Sequence, residues 1–313
     1  MKKINITILI SLLILLTACT YLESIQLPKF GREDLPEKEE FQKGTEGLSI
    51  RFVQEATPQK VREGSIFDAV FELQNKGYSD INEGLFKLIT EEQYIKTEKN
   101  RGTMMLKGKN QYLPKGEAKR ITFHSKAGQI DETLTEFPVK MTMVACYVYE
   151  MAATEIVCID PDFEGIKKDK ACKAEEMTIS GGQGSPVTVT KIIPHMTMGE
   201  TGPKPAFEIY IENKGEGQVI SPQYIEHACG AKSSERIKEY DQVEIEAELS
   251  NQILKCHPSK ITIKKGRELK ILCEQETPIT RRAEYTAPLQ IRIRYGYLTS
   301  THGDITITKR SIT

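Results

Sequence analysis

Tryptophan is absent from the 313-residue chain, so the best aromatic platform for stacking sugars or cations is missing. Charge of one sign is not in excess either, because 43 basic and 44 acidic residues leave a formal net charge of −1. A chain this close to neutral lacks the overall basic footprint of a nucleic-acid-binding protein. We therefore expect no nucleic acid among its partners.

Motifs that signal catalysis are missing as well. The five histidines form no HExxH motif or other i, i+4 ligand pair, and no GxSxG sequence marks a nucleophile. They are His124, His195, His227, His257 and His302. The glycine-rich GGQGSP at 181–186 precedes an alternating strand pattern, not the GKS or GKT and helix of a phosphate loop, so we interpret it as a flexible lead-in to a second domain. The sequence predicts no enzymatic activity and no cofactor.

Metal binding is weakly supported by the spacing of ligand residues. The cysteines lack the close CxxC or CxxxC spacing of structural zinc sites. The acidic residues Asp160, Asp162 and Glu164 alternate as in a calcium loop, but lysines occupy the positions where further ligands should follow. The sequence favours a solvated linker and no metal site, with calcium as the alternative.

The N-terminal residues have the pattern of an export signal. Two lysines precede an apolar stretch, residues 4–16, that is too short for the roughly 20 residues of a membrane-spanning helix. The sequence LTAC at 16–19 resembles the lipobox of prokaryotic exported lipoproteins. That resemblance implies removal of residues 1–18 as a lipoprotein signal peptide and attachment of a lipid, such as palmitate, at Cys19. An ordinary cleaved signal, with Cys19 lost or incidental, is the alternative.

A lipid at this position would hold the protein at a membrane. Each buried methylene contributes about 0.8 kcal/mol, so an anchor of the diacylglyceryl type, with at least two chains, binds stably. Residues 19–46 are charged, contain Pro28 and Pro36, and show no sustained hydrophobic period, which is typical of a flexible tether. We predict a lipid-anchored protein of the cell membrane that faces the extracytoplasmic side.

Cysteine usage agrees with export. Besides Cys19 the chain has an even number of cysteines, which in an exported protein indicates disulfides. They are Cys146, Cys158, Cys172, Cys229, Cys256 and Cys273. Sequence alone does not choose among their pairings. Strand-like runs around short connections favour Cys146–Cys158 and Cys256–Cys273, which leaves Cys172–Cys229 to join the two halves.

A β-strand pattern is repeated in the two halves of the chain. FELQNKG at 71–77 and IYIENKG at 209–215 alternate apolar and polar residues and end in Asn-Lys-Gly, as on a half-buried strand before a turn whose glycine tolerates positive φ. The alternation recurs at 243–249 and 289–295, whereas 82–118 is predicted to be loop-rich. Further candidate strands are 49–53, 120–124, 139–149, 155–159, 186–193, 261–264 and 305–308.

A strand, a connection containing proline and a strand ending in N-K-G together resemble the CARDB-type immunoglobulin-like domains of prokaryotic surface proteins. The match runs from Leu48 to Gly77 in the first half and from Val187 to Gly215 in the second. It implies an all-β fold with two tandem immunoglobulin-like β-sandwich domains, placed at 47–175 and 185–313. It also implies adhesion, spacing or assembly at a cell surface, and not a reaction.

These observations predict a lipid-anchored envelope protein with a non-enzymatic binding, adhesion or scaffold role and with other envelope or surface proteins as partners. Two alternatives stay open. One is a subunit of an envelope secretion or pilus-like complex, in which exposed sheet edges accept a partner's strand; the other is an exported enzyme without a recognisable motif. As a contact surface the sequence favours Tyr295 and Tyr297, because the glycine between them would let a partner approach the backbone.

Overall fold

The computed structural model describes residues 40–162, 165–230 and 241–309, so the predicted signal peptide, Cys19 and most of the predicted tether lie outside it. Within these ranges the fold is all-β, as predicted from the sequence. Helical structure there consists of the 3-10 turns Glu40–Gln42, Gln54–Ala56 and Pro222–Tyr224 and one short helix, α1 (Ile225–Ala228). In the described ranges, no helix combines the length and apolar character needed to cross a bilayer.

The described residues form 18 strands, of which β8 and β18 are the longest at 24 residues each. The first half contributes β1 (Leu48–Phe52), β2 (Lys60–Arg62), β3 (Ile66–Asn75), β4 (Ile81–Ile89), β5 (Ile95–Thr97), β6 (Arg101–Leu106), β7 (Ala118–Ala127) and β8 (Glu136–Ile159). The second half contributes β9 (Met177–Thr178), β10 (Val187–Gly199), β11 (Gly202–Asn213), β12 (Gln218–Ile220), β13 (Gln242–Leu249), β14 (Gln252–Ile253), β15 (Lys255–His257), β16 (Lys260–Thr262), β17 (Leu269–Glu274) and β18 (Tyr285–Thr308).

Three sheets organise these strands. The largest has nine strands with the order β14-β13-β18-β8-β4-β6, to which β12, β16 and β2 add at the sides. Its centre is the antiparallel pair β8–β18, whose pairing is continuous over the full length of both strands. Glu136 lies opposite Thr308 at one end, and Ile159 lies opposite Tyr285 at the other. Each half also has its own small sheet, β1-β3-β7-β5 in the first and β15-β17-β11-β10-β9 in the second. The large sheet therefore joins strands of both halves.

The core lies between the large sheet and the two small ones. Buried side chains of all three sheets form one continuous cluster; for example, Phe86 of β4 meets Phe123 of β7 with ring centroids 6.1 Å apart. Successive residues of a strand point to opposite faces, so Cys146 and Val148 of β8 face away from this core. There they form a second, smaller cluster beneath α1. The centre of the large sheet is thus covered on both faces.

The segment between the predicted domains is packed and is not a flexible lead-in. Residues 182–189 are all buried, and the Gln183 side chain bonds the backbone of Val189 through both amide atoms, at 2.9 and 3.2 Å. The described residues all belong to one compact unit. The division into sandwich domains at 47–175 and 185–313 stays a prediction.

Two strand predictions are corrected. Residues 82–118, predicted to be loop-rich, contain most of β4 and all of β5 and β6. The candidate strands 139–149 and 155–159 are parts of the single strand β8, because the residues between them continue its alternation, with Met151 and Ala153 buried. Pairing with β18 continues through this stretch, so no turn interrupts the strand.

Candidate functional site

Four buried tyrosines meet on the central strand pair. Tyr147 and Tyr149 of β8 lie opposite Tyr297 and Tyr295 of β18, respectively. Residues two apart share a face of a strand, so all four rings point into the main core. Neighbouring ring centroids lie 5.6 to 6.2 Å apart in tilted or edge-to-face arrangements. We call these four residues the tyrosine cluster, and each is at most 3% exposed.

The N-K-G sequence of the first half is bonded to this cluster. The side-chain oxygen of Asn75 accepts hydrogen bonds from the Tyr149 hydroxyl and the Gly77 N–H, both at 3.2 Å. Its Nδ2 donates to the carbonyl oxygens of Ser79 at 2.8 Å and Leu106 at 3.2 Å. Asn75 is fully buried, so one side chain fixes the turn, the end of β6 and a tyrosine of β8 together.

The second half repeats these contacts. The side-chain oxygen of Asn213 accepts hydrogen bonds from the Tyr297 hydroxyl and the Gly215 N–H, both at 3.1 Å. Its Nδ2 donates to the carbonyl oxygen of Gly217 at 3.0 Å, and the Gly217 N–H donates to the Tyr297 hydroxyl at 2.9 Å. The sequence repeat therefore marks two equivalent asparagine–tyrosine pairs, one in each half.

The glycine of each N-K-G sequence is needed for close approach and not for its backbone conformation. Neither Gly77 nor Gly215 has a positive φ, which corrects the prediction from the turn pattern. A Cβ atom on Gly77 would overlap the Tyr149 hydroxyl oxygen, and one on Gly215 would overlap that of Tyr297. Glycine is thus the residue that lets the turn pack directly on the tyrosine.

The hydroxyls of the other two tyrosines bind groups at or just before the start of β1 and of β10. The Tyr147 hydroxyl accepts a hydrogen bond from the N–H of Leu48 at the start of β1, at 3.0 Å. The Tyr295 hydroxyl bonds the hydroxyl of Ser185, just before β10 begins, at 2.7 Å. Each hydroxyl of the cluster therefore connects the large sheet to a strand of a small sheet or to the residues that lead into one.

The prediction of a contact surface at Tyr295 and Tyr297 is wrong, because both rings are buried in the core. The glycine between them does lie close to another backbone segment, but that segment belongs to the same chain. Gly296 pairs with Ile220 of β12, and a Cβ atom there would lie 2.8 Å from the Ile220 side chain and 3.0 Å from Ile225 of α1. Small size at this position is used for internal packing.

The tyrosine hydroxyls act as neutral hydrogen-bonding groups. Burial raises the pKa of Tyr147, Tyr149 and Tyr295 well above the ordinary value of 10 and raises that of Tyr297 to about 12. At neutral pH none of them is a phenolate, so the cluster does not supply a nucleophile or a base. What it supplies is a set of fixed bonds between sheets.

Three disulfides use the six remaining cysteines, and Cys256–Cys273 is the pair predicted from the strand pattern. The other two predicted pairs are wrong, since the bonds are Cys146–Cys229 and Cys158–Cys172. Cys146 and Cys158 lie on the same strand, and at about 3.3 Å per residue they are roughly 40 Å apart. Cys146–Cys229 instead ties the centre of β8 to the end of α1.

The acidic stretch considered for calcium is already neutralised by a lysine. The Lys170 ammonium lies 2.6 Å from Asp160 Oδ2 and 3.1 Å from Asp162 Oδ2, and the Lys167 N–H donates to Asp162 at 2.8 Å. These groups, the Lys167 N–H first, lower the pKa of Asp162. Glu164 lies outside the described residues, among which no group of three or more His, Cys, Asp or Glu side chains is placed to hold a metal.

Sequence reasoning found the N-K-G repeat and the tyrosine pairs but did not bring them together. The repeat and the two Tyr-x-Tyr sequences are far apart in the chain, and only the sheet order places them side by side. The sequence does contain a pattern that indicates this contact, because each N-K-G sequence is followed in the same half by one Tyr-x-Tyr sequence on a long alternating run.

Comparisons with known proteins add little. No protein-family model and no curated protein matches the chain. Among solved structures, the chain is similar to the secreted serine protease VesC from Vibrio cholerae, at 11% identity and with a TM-score of 0.23. The match covers 82% of this chain and 51% of that one, so the chain spans about half the length of the protease. A likeness of this size shows neither a common fold nor a common activity.

Proposed function

We propose that this protein is a lipid-anchored protein of the cell envelope with a non-enzymatic binding or scaffold role towards other envelope or surface proteins. The observation that carries the proposal is the pairing of six of the seven cysteines. Disulfides form and persist in oxidising compartments outside the cytoplasm. With six cysteines paired, Cys19 is the one left to carry a lipid, and it stands where the sequence resembles a lipobox.

The way the two halves are joined supports a scaffold role. The β8–β18 pair, the ring contacts of the tyrosine cluster and the Cys146–Cys229 disulfide connect the first half to the second. The four hydroxyl groups of the tyrosine cluster are used for bonds within the chain. A body joined in this way presents the outer surfaces of its halves at a fixed separation, which is what a spacing or assembly protein needs.

The lipid anchor is tested by metabolic labelling with a palmitate analogue. We expect the wild-type protein to incorporate the label and to fractionate with membranes, and the Cys19→Ser variant to incorporate none. Thr20→Ser is the matched control, since it changes the neighbouring side chain and leaves the thiol. Equal labelling of Cys19→Ser and wild type would contradict the anchor.

The binding role is tested by chemical crosslinking on intact cells, followed by capture of the protein and mass spectrometry of its partners. We expect reproducible crosslinks to a small set of envelope proteins, and these should be lost in the unlabelled Cys19→Ser variant. Crosslinks confined to the components of one secretion or pilus-like machine would favour that alternative. Recovery of the monomer alone would argue against a scaffold.

A further inference from the structure

The loop between β6 and β7, residues 107–117, is held firmly at its base. The Glu117 N–H donates to the Lys107 carbonyl at 3.0 Å, and the Lys107 N–H donates to the Glu117 carboxylate at 2.7 Å. Asp80 accepts from the Gly108 N–H and from the Lys107 ammonium, both at 2.8 Å. We call this segment the β6–β7 loop; its base is closed by backbone and side-chain bonds, so its tip has a defined position.

The tip of the β6–β7 loop presents two large apolar side chains to solvent. The Asn110 side-chain oxygen accepts from the N–H groups of Tyr112 at 2.9 Å and Leu113 at 3.0 Å, which turns the chain. Tyr112 is 83% exposed and Leu113 is 39% exposed. The turn thus holds an aromatic and an aliphatic side chain next to each other at the surface.

The β6–β7 loop lies beside the point where the described chain begins. Phe41 lines one groove of about 330 Å³ together with Asn110 and Pro114 of the loop, and Phe41 stacks on Tyr78 with ring centroids 6.0 Å apart. The Lys109 N–H donates to the carbonyl next to Tyr78, that of Gly77, at 2.7 Å. The last residues of the predicted tether, 19–46, are therefore packed on the body beside this loop and are not flexible, which corrects that end of the tether prediction.

The charge of the β6–β7 loop is positive, although the whole chain is close to neutral. The loop contains Lys107, Lys109 and Lys115 against Glu117 as its one acidic residue. Lys107 is paired with Asp80, but Lys109 and Lys115 make no ion pair with another residue of the described ranges. Two lysines on either side of an exposed aromatic turn match the chemistry of an anionic lipid surface, where Tyr occupies the interface and Lys meets the headgroups.

We propose that the β6–β7 loop is a second membrane contact, in which Lys109 and Lys115 bind anionic phospholipid headgroups while Tyr112 and Leu113 enter the interface. The proposal rests on the lipid anchor at Cys19. Residues 20–40 connect Cys19 to Phe41 beside the loop, so an anchor at Cys19 would hold the loop at high effective concentration near the bilayer, and a weak contact is sufficient. The body would then stand on the membrane in one orientation.

The absence of tryptophan provides a clean test. We would reconstitute the full lipidated protein with Tyr112→Trp in vesicles of phosphatidylcholine and phosphatidylglycerol whose acyl chains carry bromine, a quencher of tryptophan fluorescence. The matched control is Ile253→Trp, at a β14 position that is 79% exposed. We expect the Tyr112→Trp variant to be quenched several-fold more strongly than the control and its emission to shift to shorter wavelength.

Charge variants separate headgroup binding from simple proximity. In the Tyr112→Trp protein, Lys109→Gln with Lys115→Gln should reduce quenching, as should omission of phosphatidylglycerol. The control pair Lys126→Gln with Lys140→Gln removes the same charge from two exposed positions on other strands and should leave quenching unchanged.

The two proposals fail in different ways. If both tryptophan variants float with the vesicles and are quenched equally, the loop contact is wrong and the anchor stands. If neither floats with the vesicles, the anchor is wrong and the loop contact falls with it. If Tyr112→Trp is strongly quenched, and neither the two lysine substitutions nor the omission of phosphatidylglycerol reduces that quenching, the assignment of anionic headgroups is wrong.

Discussion

The first half of the body uses aromatic packing where the second half uses a disulfide. Phe123 of β7 packs edge-on against Phe71 and Phe86, with ring centroids 6.1 Å from each. In the second half the equivalent strand, β17, carries Cys273, which is bonded to Cys256 of β15. Aromatic contacts in the first half and a disulfide in the second thus occupy the same position in two otherwise similar small sheets.

The equivalence follows from strand pairing. Phe123 lies opposite Ala69 on β3, and Cys273 lies opposite Phe207 on β11. Ala69 and Phe207 are each six residues before the asparagine of their N-K-G sequence. The asparagine, glycine and tyrosine contacts are the same in both halves, whereas the side chains at this matched position differ.

The largest effect is expected from the disulfide that crosses between halves. Replacing Cys146 and Cys229 by alanine opens a link between residues 83 apart, and the loop-closure relation gives a loss of about 4.5 kcal/mol in the free energy of unfolding. Removing Cys256–Cys273, with a separation of 17, should cost about 3 kcal/mol. Urea unfolding of both double variants measures the difference. Equal losses would show that the longer link contributes no more than the one within a half.

A somewhat smaller effect is expected at the N-K-G glycines. Gly77→Ala should lower the free energy of unfolding by about 3 kcal/mol or more, because a Cβ atom there meets the Tyr149 hydroxyl and also the carbonyl oxygens of Glu46 and Gly184, each at 2.6 Å. Gly215→Ala should cost less, since the atoms it meets belong to side chains.

Thermal unfolding of the two glycine variants tests this order, with Lys76→Ala as the partly exposed control between Asn75 and Gly77. That control should change stability by no more than about 0.5 kcal/mol. Adding Tyr297→Phe to Gly215→Ala should recover part of the loss, because it removes the overlapping oxygen. A larger loss for Gly215→Ala than for Gly77→Ala would mean that the carbonyl contacts of the first half can relax.

The all-β fold and the strand at each N-K-G sequence could be predicted because period-two alternation depends only on neighbouring residues. The full length of β8 could not be predicted from the same pattern. MAAT at 151–154 has two small residues and follows Glu150, so it resembles a break, yet pairing with β18 carries the strand through it. Because residues 139–159 belong to one strand, Cys146 and Cys158 lie too far apart to bond, and two of the three predicted disulfide pairs are wrong.

The tyrosine cluster shows a second limit of local pattern. Tyr-Gly-Tyr at 295–297 has the composition of an exposed contact, and nothing within that triplet reveals that β12 and α1 cover it. Gly181 to Pro186 likewise has a linker composition, but residues 182–186 are all buried. Burial of such segments depends on strands distant in sequence, which composition does not encode.

A loss of about the same size as that of the glycine variants is expected from the asparagines. Asn75→Ala removes four hydrogen bonds and Asn213→Ala removes three. At about 1 kcal/mol for each buried bond, the losses should be roughly 3 to 4 and roughly 3 kcal/mol, with the first half more sensitive. Non-additivity with Tyr149→Phe, measured as a double-mutant cycle by urea unfolding, would isolate the hydroxyl bond. Strict additivity would contradict it.

The smallest effect concerns pH and acts on the loop closed by Cys158–Cys172. Both carboxylate oxygens of Glu284 lie 2.8 Å from the Lys167 ammonium, and one accepts from the Ala171 N–H at 2.7 Å. These hydrogen bonds, that of Lys167 first, lower the pKa of Glu284 from 4.5 to about 2. The folded state therefore favours the ionised form more than the unfolded chain does.

Because the pKa of Glu284 is lower in the folded protein, its stabilisation is fully present above pH 4.5 and is lost as pH falls through 2. Glu284→Gln should reduce the fall in unfolding temperature across that interval, whereas Glu276→Gln, at an exposed ion pair with Lys255, should leave it almost unchanged. The asparagine–tyrosine pairs stay uncharged over the same range. Acid therefore weakens the contacts of Glu284 with Lys167 and Ala171 and leaves the asparagine–tyrosine hydrogen bonds of both halves in place. Identical pH profiles for wild type and Glu284→Gln would place the acid sensitivity elsewhere in the body.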